Sequence, residues 1–208
     1  MVRDLGIFLD KNWTFSEHIS RTVSKSFKTL GFIKRTTLAF SSLDTITYLF
    51  KTLVLPNLNY ASIIWSPFTQ DKFEDLNSVL KRFLRFASFK TGNPMNFTDH
   101  NYKNISLKCN LHKVETMHKV NDLYFILNNL KKKIVFPPFD DLFVYREIDY
   151  LLRHIRPFLE ETLKNNYIFY APINRMKRYW NELPENYRQQ LILTSDKSAL
   201  KKDFLQYF

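Results

Sequence analysis

Apolar residues recur at intervals of three and four along most of the chain, which is the spacing of helices that bury one face. In the first such stretch, five apolar side chains fall within one arc of about 120° when the helix turns by about 100° per residue. These side chains are Ile19, Val23, Phe27, Leu30 and Ile33. Thr14 or Ser16 is the expected N-cap and Glu17 suits the first turn, so the sequence predicts a long amphipathic helix here.

Prolines divide the segment that follows. A short helix is predicted to begin at Ser41 or Ser42, and Pro56 opens a second helical segment at a position suited to the first turn. That second segment contains "NYASIIWSPF", runs to Trp65 and ends at Pro67. Its apolar density predicts a buried helix in which Trp65 packs between helices.

The helical spacing continues to the end of the chain. It predicts helices over 70–87 and 112–130, a further segment around 146–164, and a helix that begins at Pro172 and is closed by Pro184. Between the first two of these, residues 88–104 are rich in Gly, Pro, Asn and Thr and are predicted to be a loop that separates two lobes.

Composition limits the class of protein. Three glycines among 208 residues argue against Gly-rich phosphate cradles and against folds built from many hairpins. The single cysteine, Cys109, rules out an internal disulfide and suits a reducing compartment. No apolar run reaches the roughly 18 residues that a membrane span requires. We therefore expect a mostly helical, soluble, intracellular protein, either nuclear or cytoplasmic.

The net charge of the chain indicates a polyanion as its partner. The chain carries 31 Lys and Arg against 20 Asp and Glu, a formal net charge of +11. Such an excess favours nucleic acid as partner. Two alternatives remain. The first is binding to an anionic membrane surface, although no helix combines dense cations with a continuous bulky apolar face. The second is a compositional bias toward basic residues that involves no ligand.

The distribution of charge favours nucleic acid. No acid occurs between His18 and Leu43, and four cations fall opposite the apolar arc of the first helix: Arg21, Lys25, Lys28 and Arg35. Lys34 lies off that row. A solvated helix face usually interleaves acids, so we predict that this row contacts a phosphate backbone.

The helix over 70–87 adds three candidate phosphate contacts, Lys81, Arg82 and Arg85. Here a simpler explanation competes, because the acids stand at the start of the helix and the bases toward its end. That order is what the helix dipole favours without any ligand.

Candidate catalytic and metal-binding residues are few. Asp140 and Asp141 form a pair, but they follow two prolines and lack the flanking strands and third carboxylate of a two-metal site. Cys109, His112 and His118, with His100 upstream, supply one thiolate where structural zinc usually takes at least two. The sequence shows no hydrolytic triad motif. We predict no metal site and no enzyme active site.

Five segments occur in an order that resembles a known family. They are "VRDLGIFLDKNWTFSEHI", "LGFIKR", "LVLPNLNYASIIWSPF", "LKRFLRF" and "APINRMKRYWNEL". Together they resemble the C-terminal part of reverse transcriptases of non-LTR retrotransposons, in the jockey-like group. The resemblance extends from Leu5 to about Leu183.

This resemblance implies a domain organisation. Residues 1–12 would be a remnant of the strand that leaves the palm, 13–90 a thumb-like helical domain, and 105–208 a C-terminal helical region after the 88–104 linker. The implied fold is mainly α, with a short N-terminal β segment, a helical thumb-like bundle and a second helical lobe.

The resemblance also implies a function. A thumb binds the template–primer duplex, RNA or RNA–DNA, by its backbone. The family's catalytic aspartates and their Mg²⁺ would precede Leu5, so the chain is expected to be an inactive fragment that needs no cofactor and whose other partners are the missing palm and fingers. Nothing from the family is transferred to Asp140 and Asp141. The alternative is an inert helical interaction module or retrotransposon relic without nucleic-acid binding, with Leu5, Ile7 and Leu9 on an unpaired edge.

Overall fold

A computed structural model of the chain describes residues 2–39, 42–92, 99–131, 143, 157–158 and 171–193. The fold is mainly helical with a short N-terminal sheet, which confirms the predicted class. The chain forms two compact units, Met1–Met117 and His118–Phe208. The predicted linker at 88–104 differs from this division, because helix extends to Lys90 and resumes at Asp99, inside the first unit.

The N-terminal β segment is a hairpin and not a single strand. Strands β1 (Val2–Asp4) and β2 (Ile7–Leu9) pair antiparallel, with Val2 opposite Leu9. The two-residue turn has φ of 44° at Leu5 and 87° at Gly6, the left-handed backbone that tight hairpins require and that glycine adopts without strain. Ile7 is buried in the core of the first unit, so β2 is paired with β1 and anchored by its side chain.

Helix α1 (Ser16–Thr36) begins differently from the prediction. Its N-cap residue is Phe15, in a left-handed conformation with φ of 54° and without a side-chain cap, so neither Thr14 nor Ser16 caps it. Instead the carboxylate of Asp10 accepts hydrogen bonds from the backbone N–H groups of Thr14 at 3.0 Å and Phe15 at 2.6 Å. The start of α1 is therefore held by a carboxylate five residues before the N-cap residue, and not by the side chain of an adjacent residue.

Four short helical elements follow, and the predicted break points are partly correct. They are α2 (Leu43–Leu49), a π-helical turn (Phe50–Val54), α3 (Leu55–Asn59) and α4 (Ser62–Trp65). Ser42 caps α2 by accepting a hydrogen bond from the Thr45 N–H, and Pro56 lies in the first turn of α3, as predicted. The segment that Pro56 opens is not continuous, because Ala61 has a positive φ of 50° and separates α3 from α4.

Trp65 is completely buried, as predicted. Its indole Nε1 donates a hydrogen bond of 2.6 Å to the carbonyl oxygen of Tyr60, and its ring meets that of His18 edge to face at 4.9 Å. The residue therefore fastens the α3–α4 corner to α1 inside the core, where no ligand reaches it.

The longer helices of the first unit enclose its core. They are α5 (Gln70–Lys90), α6 (Asp99–Lys108) and the beginning of α7 (Val114–Leu130). Phe83 of α5 stacks on Phe50 of the π-helical turn, with ring centroids 4.0 Å apart and an angle of 17° between the planes. Asn77 of α5 accepts a hydrogen bond of 2.9 Å from the backbone N–H of Val114, the first residue of α7.

The second unit contains the remainder of α7, together with α8 (Pro172–Asn181) and α9 (Glu185–Leu193). Helix α8 begins at Pro172 and ends before Pro184, as predicted. The side chain of Asn181 both donates to the carbonyl and accepts from the N–H of Phe158, and so holds that backbone in place. Most of the segment predicted around 146–164 lies outside the described residues.

Candidate nucleic-acid interface

The predicted basic faces belong to two helices of the first unit that run side by side in the same direction. Arg82 of α5 lies 5.4 Å from the ring centroid of Phe27 in α1, and Lys34 of α1 lies 5.3 Å from that of Phe86 in α5. Farther along, the Lys90 ammonium donates a 2.7 Å hydrogen bond to the carbonyl of Leu38. Residue number rises together on both helices, so their C-terminal halves lie next to each other.

An open cleft of about 370 Å³ lies along this junction. We call it the basic cleft, and it is lined by Phe27, Lys28, Leu30, Gly31, Lys34, Arg35 and Arg82. Four of its seven lining residues are cations and none is an acid. Within the described ranges, no carboxylate forms an ion pair with Lys28, Lys34, Arg35 or Arg82.

The cations of the basic cleft act on one another. Burial lowers the pKa of Lys34, and the positive charges of Arg82 and Arg85 lower it further. Lys34 and Arg82 also lie against the faces of Phe86 and Phe27, which attract cations electrostatically and fix where the charged ends lie. The cleft thus holds like charges close together, and the residues that the structure describes place no carboxylate against them.

The helix dipole accounts for only part of this arrangement. Lys34, Arg35 and Lys90 stand in the last turns of their helices, where cations are favoured by the carbonyl ends. Because the dipole effect falls off within the last turn, it explains neither Lys28 nor Arg82, each about two turns from its helix end. The helix dipole therefore does not explain the cations in the middle of the basic cleft.

Only some of the seven predicted contact residues lie in or near the basic cleft. Lys28, Arg35 and Arg82 line the basic cleft, and Arg85 is close enough to lower the pKa of Lys34. Lys25 is an exposed residue of α1 outside the lining. Arg21 and Lys81 instead have acidic partners.

These two partnered cations are committed to local contacts. The Nε atom of Arg21 lies 2.6 Å from a carboxylate oxygen of Glu17, and its guanidinium covers the ring of Phe8 at 4.4 Å. The Lys81 ammonium lies 2.7 Å from a carboxylate oxygen of Glu74. All four charged side chains are about half exposed, where such pairs contribute little to stability. Their positive charge is nevertheless compensated by these carboxylates, whereas no described carboxylate pairs with the cleft residues.

Lys34, which lines the basic cleft, is not among the contact residues predicted from the sequence. On a helical projection it falls off the basic row and inside the apolar arc of α1, between Val23 and Phe27. That position was the available signal, because a cation on the apolar face lies beside whichever helix packs there. Which helix packs there is decided by tertiary structure.

Arg175, a cation of α8, has a structural role. In the second unit its guanidinium forms a buried, two-point ion pair with Asp122, at 2.8 Å from Nε and 3.2 Å from Nη2. Burial raises the pKa of Asp122 to about 6, against the opposing effect of the Arg175 charge. Lys177 of the same helix is also buried. These residues belong to the interior of the second unit.

The other candidate residues, proposed for metal binding, form no metal site among the described residues. No group of three or more His, Cys, Asp or Glu side chains there could hold a metal ion, and Cys109 is a buried thiol whose pKa is raised by burial. Asp140 and Asp141 lie outside the described residues. Among the described helices, none is long and apolar enough to cross a membrane.

Comparisons with known proteins add no relative. No model of a protein family matches the sequence, and searches of curated proteins and of solved structures find no similar protein. The resemblance to reverse transcriptases therefore stays a prediction, based on the five quoted segments.

Proposed function

We propose that this chain binds the phosphate backbone of an RNA or RNA–DNA duplex through α1 and α5, without reading sequence. In the context of the resemblance, it would serve as the thumb and tail of a retrotransposon reverse transcriptase and would not catalyse polymerisation by itself. The observation that carries this proposal is the basic cleft, where two helices bring cations together without an acidic partner in the described structure. Polyanion binding neutralises such a cluster and releases counterions from the duplex.

Fluorescence anisotropy with a short RNA–DNA duplex tests this proposal. We expect binding that is independent of sequence and weakens steeply with salt, with a slope that reports the number of phosphates neutralised. Arg82→Gln should lower the affinity more than Lys81→Gln, although both remove one charge from adjacent positions of α5. The reason is that Lys81 is already paired with Glu74. No binding at low salt, or an equal loss in both variants, would contradict the proposal.

A second candidate is an interaction module that does not bind nucleic acid. Its support is the exposure of large apolar side chains in the first unit, including Leu5 at 81%, Tyr48 at 67% and Trp13 at 60%. Such side chains often mark contact surfaces when they form a patch. Light scattering separates the candidates: concentration-dependent self-association without duplex binding favours this one, and a monomer that binds duplex favours the first.

A further inference from the structure

We propose that the basic cleft is a binding site for a single dianionic phosphate group, as found at the end of a nucleic-acid strand. This goes beyond backbone binding, because it assigns one type of phosphate to one place on the protein. It rests on the proposed function only for the source of the phosphate; the chemistry of the site is argued from the cleft itself.

The donors of the basic cleft match the charge of a terminal phosphate. A phosphomonoester carries about −1.5 to −2 charges at neutral pH and three strong acceptor oxygens, whereas an internal phosphodiester carries about one negative charge. The basic cleft offers two guanidinium groups, from Arg35 and Arg82, which can each bind two oxygens, and two ammonium groups, from Lys28 and Lys34. Four positive charges around one cavity suit the more highly charged group.

The shape of the basic cleft also suits a terminal phosphate. The cations do not form a straight row along α1 but line a concavity between two helices. A volume of about 370 Å³ corresponds to roughly a dozen water molecules at about 30 Å³ each. That space holds a phosphate with part of its hydration shell. An internal phosphate is flanked by sugar on both sides, so a terminal phosphate enters such a concavity more readily.

The basic cleft is held in shape before a ligand binds. Lys34 is partly buried between the helices, and the aromatic rings of Phe27 and Phe86 support Arg82 and Lys34 from the opposite helices. The cations therefore lose less side-chain freedom on binding an anion than cations on an open helix face would. A bound phosphate would also relieve the mutual repulsion of Lys34, Arg82 and Arg85.

The test uses the full chain and two RNA–DNA duplexes that differ only in a 5′-phosphate or 5′-hydroxyl on one strand. We expect the phosphorylated duplex to bind about tenfold more tightly, given the strength of charge-assisted bonds to a dianion. Lys34→Met and Arg82→Gln should abolish this preference. Lys25→Gln is the matched control, since it removes a charge from an exposed position of α1 outside the cleft, and it should retain the preference.

A second measurement keeps the proposal testable if a cleft variant folds poorly. Inorganic phosphate, added at constant ionic strength in place of chloride, should raise the melting temperature of the wild type and of Lys25→Gln. The rise should be smaller for Lys34→Met and Arg82→Gln, which keep only the general stabilisation by an excluded anion. Circular dichroism at low temperature checks that each variant is helical before these comparisons are made.

The outcomes separate this inference from the proposed function. Equal binding of both duplexes by the wild type, or the same loss of preference in Lys25→Gln as in Lys34→Met, overturns the phosphate site and leaves backbone binding intact. Stabilisation by inorganic phosphate that requires Lys34, without binding of either duplex, supports the site with a free phosphate as ligand and refutes the proposed function. Absence of both effects refutes both.

Discussion

The two units of this protein place arginine and lysine in opposite ways. In the second unit, Arg175 is buried and forms a two-point ion pair with the fully buried Asp122. In the first unit, Lys34 and Arg82 of the basic cleft lie against aromatic rings, and no described carboxylate pairs with either of them. Both arrangements use cations on amphipathic helices, but of the two, only Arg175 has a counter-charge among the residues that the structure describes.

This comparison indicates where to look for function. A buried charge without its partner would be strongly unfavourable, so each charge of the pair in the second unit requires the other. Like charges held together at a partly exposed cleft are not required by the fold, and they weaken it slightly. Removing a cation should therefore have opposite effects on stability in the two units.

The largest effect is expected in the second unit. Arg175→Met should destabilise it by about 3–5 kcal/mol, because the substitution leaves a buried carboxylate without a counter-charge. Hydrogen exchange in peptides from α8 measures the loss directly. The double variant Asp122→Leu/Arg175→Met should recover most of it, since replacing both charges by apolar groups removes the cost of burying them. A loss below about 1 kcal/mol in the single variant would show that this pair is not structurally required.

An intermediate effect is expected from pH. The pKa of Asp122 is raised from 3.8 to about 6 in the folded protein, so the folded state binds its proton more tightly than the unfolded chain does. The contribution of this group to the free energy of unfolding is therefore greatest below pH 4 and is lost as the pH rises to about 6.

Comparison with Asp122→Asn isolates that contribution. The unfolding free energy of wild type minus that of the variant should fall by up to about 3 kcal/mol over this interval, which corresponds to about two pKa units. Urea unfolding at several pH values provides the measurement. A difference that stays constant from pH 4 to 7 would contradict the raised pKa.

The smallest effect is expected in the basic cleft. Without added anion, Lys34→Met should raise stability by a few tenths of a kcal/mol at low salt, because it removes repulsion from Arg82 and Arg85 while keeping a long apolar side chain. The gain should disappear in about 1 M NaCl, where screening is nearly complete. Thermal unfolding at two salt concentrations measures it. A destabilisation above about 1 kcal/mol would place Lys34 among the residues that the fold needs.

The sequence by itself determined the helical class and the main helices of this protein. The three- and four-residue spacing located α1, α5, α7 and α8, because a helix that buries one face must repeat its apolar residues at that interval. It also predicted that Trp65 is buried, and that Ser42 and Pro56 stand at helix starts. These features depend on neighbours in the chain, which are visible in the sequence.

Only the tertiary structure decided which cations lie together. Lys34 enters the basic cleft because α5 packs beside α1 in parallel, and Arg175 is removed from the surface because α7 supplies Asp122, 53 residues away. The hairpin at residues 2–9, the break at Ala61 and the Asp10 contacts that begin α1 likewise depend on backbone turns and longer-range contacts. A helical projection shows which face carries charge, but the function of that charge depends on the helix packed next to it.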